Sequence, residues 1–270
     1  MINRIIIIFW IYNFTLIKGE SFDEYNRFAN QLYEEKEYFR AITEYKRLNS
    51  FFPDNPNYIQ NKIMIVNCYY NAGHLIEAIS ELKELNIIYP KYFNFIYREA
   101  KILNEISHYF ESNEIIQNNL NIFKQVQNDS LIYLSAINLF RLQKIDDSKE
   151  VLDKIINSSS LYYVAQETKT YISNYDKLRF KNRKYAGYLN LVIPGSGYFY
   201  LGMEQTALAT FFIESLFIGI LNKSLQNNTT GTSMLTGFLF SGIHLGATYG
   251  AVEQADKLNK NIFKEFCNGL

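Results

Sequence analysis

Between residues 22 and about 158 the apolar positions are organised around pairs of small residues twelve apart. Ala29 and Ala41 form one pair, with Tyr25, Phe28 and Leu32 about the first member and Tyr45, Leu48 and Pro53 after the second. Val66 and Ala78 form the next, set among Ile63, Tyr69, Leu82, Leu85 and Pro90. Ala100 with Ser112, and Ala136 with Ser148, Leu152 and Ile155, repeat the pattern without the closing proline, and the third copy is poor in its second helix. This spacing predicts helical hairpins. Helices A and B of each unit cross closely only where small side chains let their backbones approach, and the proline ends helix B. Asn71-Ala72-Gly73 predicts the turn between A and B of the second unit, and a helix over 161–180 would cap the stack. A single hairpin cannot bury its own apolar stripe, so at least three are needed for a core.

The pattern changes at residue 185. From there to residue 252 the ionisable residues other than tyrosine are Glu204, Glu214, Lys223 and His244. Apolar runs of 16 and 21 residues, 206–221 and 232–252, flank the polar loop 222–231. They predict a membrane-embedded helical hairpin whose first span is marginal in length. The preceding apolar stretch, 185–201, is broken by Pro194-Gly195-Ser196-Gly197, which suits a re-entrant or kinked helix protected by its neighbours. At the other end, Met1-Ile2-Asn3-Arg4, an apolar run over 5–17 and Lys18-Gly19-Glu20-Ser21 follow the order of a secretory signal. No cysteine stands near Gly19, so a lipoprotein anchor is not expected. The expected organisation is a signal peptide at 1–21, a solenoid with capping helix and basic juxtamembrane segment at 22–184, a membrane-embedded helical domain at 185–252 and a polar tail at 253–270.

Ala41-x3-Tyr45-x2-Leu48-x4-Pro53, matched by Ala78-x3-Leu82-x2-Leu85-x4-Pro90, resembles the tetratricopeptide-repeat (TPR) family, and the resemblance fades over the later copies. It implies an all-α solenoid of helical hairpins with an inner groove lined by one face of each helix A. On this chain that face carries Asn26, Asn30 and Tyr33, then Asn67, Tyr70 and Asn71, then Tyr97, Lys101 and Asn104. Amide and phenol groups suit the backbone of an extended or helical peptide, so the resemblance implies a protein or peptide partner. The chaperone-binding subgroup clamps a terminal carboxylate with lysines, and Asn26 and Asn94 stand in those places. The segment carrying Pro194, Gly195, Gly197, Tyr200 and Gly202 resembles the Pro-Gly-x-Gly-x-x-Tyr-x-Gly turn of small bacterial membrane domains, and in outline the two-transmembrane-helix domain family. There it is a structural turn packed on a helix hairpin, with no assigned chemistry.

Composition narrows the function by exclusion. Lys+Arg 27 against Asp+Glu 27 gives no net field to draw nucleic acid. The 22 Tyr and 21 Phe fit the coding bias of an AT-rich genome. Cys68 and Cys267 lie far apart without metal-ligand spacing, and Cys68 falls on a buried helix face. Gly197-x4-Gly202 is followed by Met203-Glu204 where a phosphate loop needs lysine and a hydroxyl. Gly195-Ser196-Gly197 has the wrong spacing for a nucleophile elbow. No metal, cofactor or catalytic constellation is expected, and His74 and His108 fall at helix starts.

Three features of the C-terminal half remain. Gly242, Gly246 and Gly250 make a small-residue stripe that lets a helix approach closely, either the 206–221 helix or a second copy of the protein. Glu214 and His244 lie mid-span, where an ionisable group is costly unless paired or facing a cavity. In an antiparallel hairpin they could meet. Lys177, Arg179, Lys181, Arg183 and Lys184 suit anionic lipid head groups, yet the positive-inside rule would hold them in the cytoplasm while the signal exports them. With the signal preferred, the chain reads as a membrane-attached, non-enzymatic interaction scaffold of the bacterial envelope with periplasmic repeats. A small transport or channel-associated component, with Glu214 and His244 lining a path, is the alternative.

Overall fold

The computed structural model describes residues 22–269, so the expected signal peptide lies outside the described residues. The described chain is helical, with no strand, and divides between Lys169 and Thr170 into two compact units.

The first unit is a solenoid of four helical hairpins: α1 (Phe22–Glu34) with α2 (Tyr38–Phe51), α3 (Tyr58–Asn71) with α4 (Leu75–Ile88), α5 (Phe93–Glu105) with α6 (Tyr109–Asn119), and α7 (Gln125–Arg141) with α8 (Ile145–Leu152). Ala29, Ala41, Val66, Ala78, Ala100, Ser112, Ala136 and Ser148 are all buried at the A–B crossings. In the third and fourth hairpins a hydroxyl replaces the second methyl, and it is satisfied on the spot. Ser112 Oγ donates to the Ala100 carbonyl at 2.6 Å and Ser148 Oγ to the Ala136 carbonyl at 2.7 Å. Around these crossings Tyr45, Leu48, Ile65, Leu82, Leu85, Phe95, Ile116, Leu131 and Leu152 fill the core. Each buried aliphatic or aromatic side chain stabilises the fold by roughly 1.5–3 kcal/mol.

Every A–B turn is built alike. Lys36, Gly73, Ser107 and Gln143 occupy the left-handed conformation at φ 62°, 79°, 65° and 60°. Each next residue donates its N–H five residues back, as Glu37 does to Leu32 and His74 to Tyr69, closing the helix end. Only the second hairpin has glycine there, so the other three turns accept a Cβ in a conformation that costs roughly 1 kcal/mol. The B helices shorten along the chain, through 14, 14, 11 and 8 residues. The copies lacking the closing proline are thus the short ones, and the third B helix is nevertheless formed.

The expected capping helix over 161–180 is shorter: α9 spans Tyr162–Ser173 and passes into a 3₁₀ turn, Asn174–Lys177. From Thr170 onward the chain belongs to the second unit, fifteen residues before the composition shift at 185. Tyr171 stacks on Phe266 at 4.7 Å and donates to its carbonyl at 2.6 Å, and Tyr175 meets Phe263 edge-on. Lys181 and Asn259 exchange two hydrogen bonds, at 2.7 and 2.8 Å.

Those partners lie on the stretch expected to be a polar tail. Residues 253–267 instead continue α13 (Thr230–Cys267), with Ala255, Phe263 and Cys267 buried. The remaining helices are α10 (Arg183–Val192), α11 (Ser196–Tyr200) and α12 (Glu204–Gln226). Among the described residues α12 is the one helix long and apolar enough to cross a membrane. The first run, marginal by sequence, becomes a 23-residue helix because regular structure continues past both its ends. The apolar half of α13, diluted by Gly, Ser, Thr and His244, does not reach the same hydropathy.

The Pro194–Gly202 segment folds α10 back through α11. Gly195 is left-handed (φ 82°), and a Cβ there would lie 2.2 Å from the Ala207 carbonyl oxygen. A Cβ on Gly197 would lie 2.3 Å from the Ala186 carbonyl oxygen. Both approaches are open only to glycine. Entry and exit of the α10–α11 hairpin adjoin: Lys181 Nζ donates to the Tyr200 carbonyl and the Asn182 N–H to the Tyr200 hydroxyl, both at 3.1 Å. Gly202, also left-handed at φ 80°, closes α11.

Candidate functional site

The first unit contains a cavity of about 340 Å³ lined by Tyr33 of α1, by Val66, Asn67, Tyr70 and Asn71 of α3, and by Arg98, Lys101 and Ile102 of α5. It therefore spans three successive A helices. Each contributes one face because the left-handed turn after it returns the chain through helix B, leaving A faces side by side. The walls are tied by hydrogen bonds from one A helix to the next. Asn71 Nδ2 donates to Tyr33 Oη at 2.8 Å, Arg98 Nη1 to Asn67 Oδ1 at 2.5 Å, and Tyr70 Oη to Glu105 Oε1 at 3.1 Å. The bond to the Glu105 carboxylate holds the Tyr70 phenol above its ordinary pKa.

Arg98 and Lys101 make the lining cationic, and none of the lining residues is acidic. Lys101 is exposed, with no hydrogen-bond or ion-pair partner among the described residues. The cavity therefore offers one free ammonium, one guanidinium with donors to spare, and amide and phenol groups at its rim. That set recognises an acidic side chain or a peptide backbone.

Tyr33, Asn67, Tyr70, Asn71 and Lys101 of the expected groove line this cavity. The other four do not. Asn30 Oδ1 accepts from the buried Tyr45 hydroxyl at 2.7 Å, so it braces the first hairpin. Tyr97 stacks on Phe93 at 5.4 Å. Asn104 Nδ2 donates to Asn138 Oδ1 at 2.6 Å, and Asn138 in turn donates to Ser112 Oγ at 2.7 Å. Asn26 lies half-buried on α1, outside the lining. Arg98 was missed by the sequence reading. It sits four residues beyond Asn94 and one turn before Ile102, a signal that the helix-A face extends to it.

In the second unit the structure brings Glu214 and His244 together. Nδ1 and Oε2 are 2.6 Å apart, Glu214 is fully buried, and His244 Nε2 meets the Leu191 carbonyl at 3.1 Å. The glycine stripe divides. A Cβ on Gly250 would strike the Tyr198 hydroxyl, whereas one on Gly242 or Gly246 would meet nothing within 4 Å. The basic segment is partly spent: Lys177 donates to Asn174, Lys181 lies 4.7 Å over the Tyr200 ring, and Arg183 pairs with Asp256 at 3.2 Å. Arg179 and Lys184 are exposed. His74 and His108 cap α4 and α6 and pair with Glu77 and Glu111, each at 3.1 Å. Among the described residues no three His, Cys, Asp or Glu are placed to hold a metal.

Fold and groove together define a helical-hairpin solenoid whose repeat fits the TPR pattern. No family model and no curated protein matches the chain. Among solved structures it is similar to a tetratricopeptide repeat protein from Parabacteroides merdae ATCC 43184, at 15% identity and TM-score 0.49, over 86% of this chain and 100% of that one. A MamA RS-1 ArsTM double mutant matches at 13% identity and TM-score 0.43, over 72% and 92%. Nearly identical TPR-like repeats attributed to a kinesin light chain of Podosopora anserina match at 11% identity and TM-score 0.40, over 70% and 90%. At these scores the likenesses add nothing to the helix pairing, on which the fold assignment rests.

Proposed function

We propose that this chain is a membrane-anchored interaction scaffold, which holds a segment of a partner protein in the groove of its first unit while its second unit is embedded in a bilayer. The observation that carries the reading is the cationic cavity across α1, α3 and α5, with Lys101 free inside it. The partner is a peptide segment bearing an acidic side chain, which meets Arg98 and Lys101 while Tyr33, Tyr70 and Asn71 hold its backbone. Selection of a random peptide library on the full chain in detergent tests it. Selected peptides should be enriched in Asp or Glu, and Arg98→Ala with Lys101→Ala should abolish the enrichment. Enrichment without acidic residues, or unaffected by the double substitution, would overturn it.

The anchor rests on the exposed apolar side chains of α12 and α13 and on the length of α12. Twenty-three residues span about 34 Å, against a hydrocarbon core of about 30 Å. Arg179 and Lys184 face lipid head groups. With the N-terminal run as an export signal, the repeats lie on the periplasmic side, where assembling envelope proteins is a natural use. Protease cleavage of the first unit once the outer barrier is opened is the expected result. Protection until full lysis would move the scaffold to the cytoplasm. The transport alternative gains no support from the pair proposed to line a path, because His244 is engaged at both ring nitrogens.

A further inference from the structure

Among the described residues of the second unit, three buried side-chain atoms are without a hydrogen-bond partner: Asn190 Nδ2 on α10, Glu214 Oε1 on α12 and Thr248 Oγ1 on α13. They lie on three helices that meet at His244. His244 joins Glu214 Oε2 to the carbonyl of Leu191, the residue after Asn190, and Thr248 lies one turn of α13 beyond His244. A Cβ on Gly197 would meet the Cβ atoms of Asn190 and Ala251 at 2.8 and 3.0 Å, so Asn190 faces the side of α13 that carries His244, Thr248 and Ala251. Asn190 and Glu214 are each fully buried.

The three groups are chemically complementary. Asn190 Oδ1 already accepts from the Gly195 N–H at 3.0 Å, which fixes the amide so that its free end is a donor. Glu214 Oε1 accepts, and the Thr248 hydroxyl does either. The Leu191 carbonyl can only accept, so His244 Nε2 carries hydrogen, and the short Nδ1···Oε2 contact holds a second proton between imidazole and carboxyl. A bare cation would face the Asn190 donor. An anion would face Glu214. A water molecule takes hydrogen bonds and gives them, and matches the set.

We propose that the core between α10, α12 and α13 encloses a binding site for one water molecule, which accepts from Asn190 Nδ2, donates to Glu214 Oε1 and reaches Thr248 Oγ1. The water completes the hydrogen bonding of the carboxyl whose other oxygen grips His244, and so ties the interrupted end of α10 to both long helices. The three atoms that would line it are buried, and the site stands or falls independently of the membrane reading.

A crystal structure of the full chain that shows ordered water tests the proposal. One peak within hydrogen-bond reach of both Asn190 Nδ2 and Glu214 Oε1 is expected. An empty core, or a direct bond between those two atoms, would overturn it. In solution the same site is read by magnetisation transfer from water to the Asn190 side-chain amide, the signal that Asn190→Asp removes. If that variant does not fold, Thr248→Val, which leaves two of the three partners, identifies the signal by moving it. Transfer from a resident water supports the site, and its absence from the identified amide sinks it.

Discussion

The two units use the same secondary structure in opposite senses. The first buries large side chains, among them Tyr45, Phe95, Phe140 and Leu82, and shows water most of its charged ones, Glu99 and Asp129 excepted. The second packs through Ala186, Asn190, Glu214, Thr236, Ala251 and Ala255, and leaves Phe212 66% exposed, Met234 72% and Phe238 79%. In water a helix gathers its bulky apolar residues inward because burial removes them from the solvent. Hydrocarbon removes that drive, and helices then associate through small side chains and internally satisfied polar ones. At the α10 tip the Leu191 carbonyl meets His244 Nε2, and the Leu189 and Ile193 carbonyls share the Ser196 hydroxyl, the internal pairing that the proposed membrane setting requires. The contrast is one of size: large apolar side chains dominate the buried core of the first unit, and small residues make up much of that of the second.

The sharpest way to break each unit is to remove what it buries. Phe95→Ala should cost the first unit about 3–5 kcal/mol as cavity and lost transfer energy. Glu214→Ala should cost the second about 3–5 kcal/mol by stranding His244. Chemical denaturation of the full chain, followed by fluorescence probes in each unit, separates the two losses. If Glu214→Ala proves silent, the pair does not hold the second unit together.

A charge on the outer face tests the proposed membrane setting. Phe212→Lys should cost roughly 2.5–3.5 kcal/mol for bilayer insertion, read as loss of the chain from carbonate-washed membranes. Phe110→Lys in the first unit, at a residue 68% exposed, should stay within about 0.5 kcal/mol. Equal effects would remove the contrast. Ser112→Ala comes next. It orphans Asn138 Nδ2 in the first unit's buried polar chain and should cost about 1–3 kcal/mol.

Burial pushes the Cys68 thiol up to about 12, well above its ordinary value. Folding then favours the protonated thiol. Stability is full below the unfolded value and falls as pH rises toward the folded one. Native Cys68 should resist alkylation at neutral pH, and Cys68→Ala should flatten the alkaline slope of unfolding. The smallest effect expected is a gain: Ser107→Gly relieves the left-handed turn residue and should stabilise the first unit by up to about 1 kcal/mol, a shift visible in the denaturation midpoint.

How much was legible follows from the range of each interaction. The small-residue pairs Ala29/Ala41 and Val66/Ala78 announce their crossings because a hairpin is a local object, closed within a few dozen residues. Ser112 and Ser148 read only as small, since their hydroxyl bonds depend on the helix opposite. The groove list mixed two kinds of residue. Lys101 lines the cavity, unpaired among the described residues, and Asn71 lines it while bonded to Tyr33, whereas Asn30 and Asn104 lie outside the lining and are spent on Tyr45 and Asn138, partners 15 and 34 residues away. An amide at a groove position carries no mark of whether a distant side chain has already claimed it.

The sequence by itself determined the repeat, its length and the residue near which the composition changes, because helical period and apolar content are properties of neighbouring residues. Only the tertiary structure decided that 253–267 is a packed helix and that the second unit begins at Thr170. It alone set the meeting of Glu214 with His244 and the place of Arg98 in the cationic cavity. Each of these is a pairing across space, between Tyr171 and Phe266, Lys181 and Asn259, α12 and α13, or α3 and α5, and such pairings are fixed by how finished helices pack.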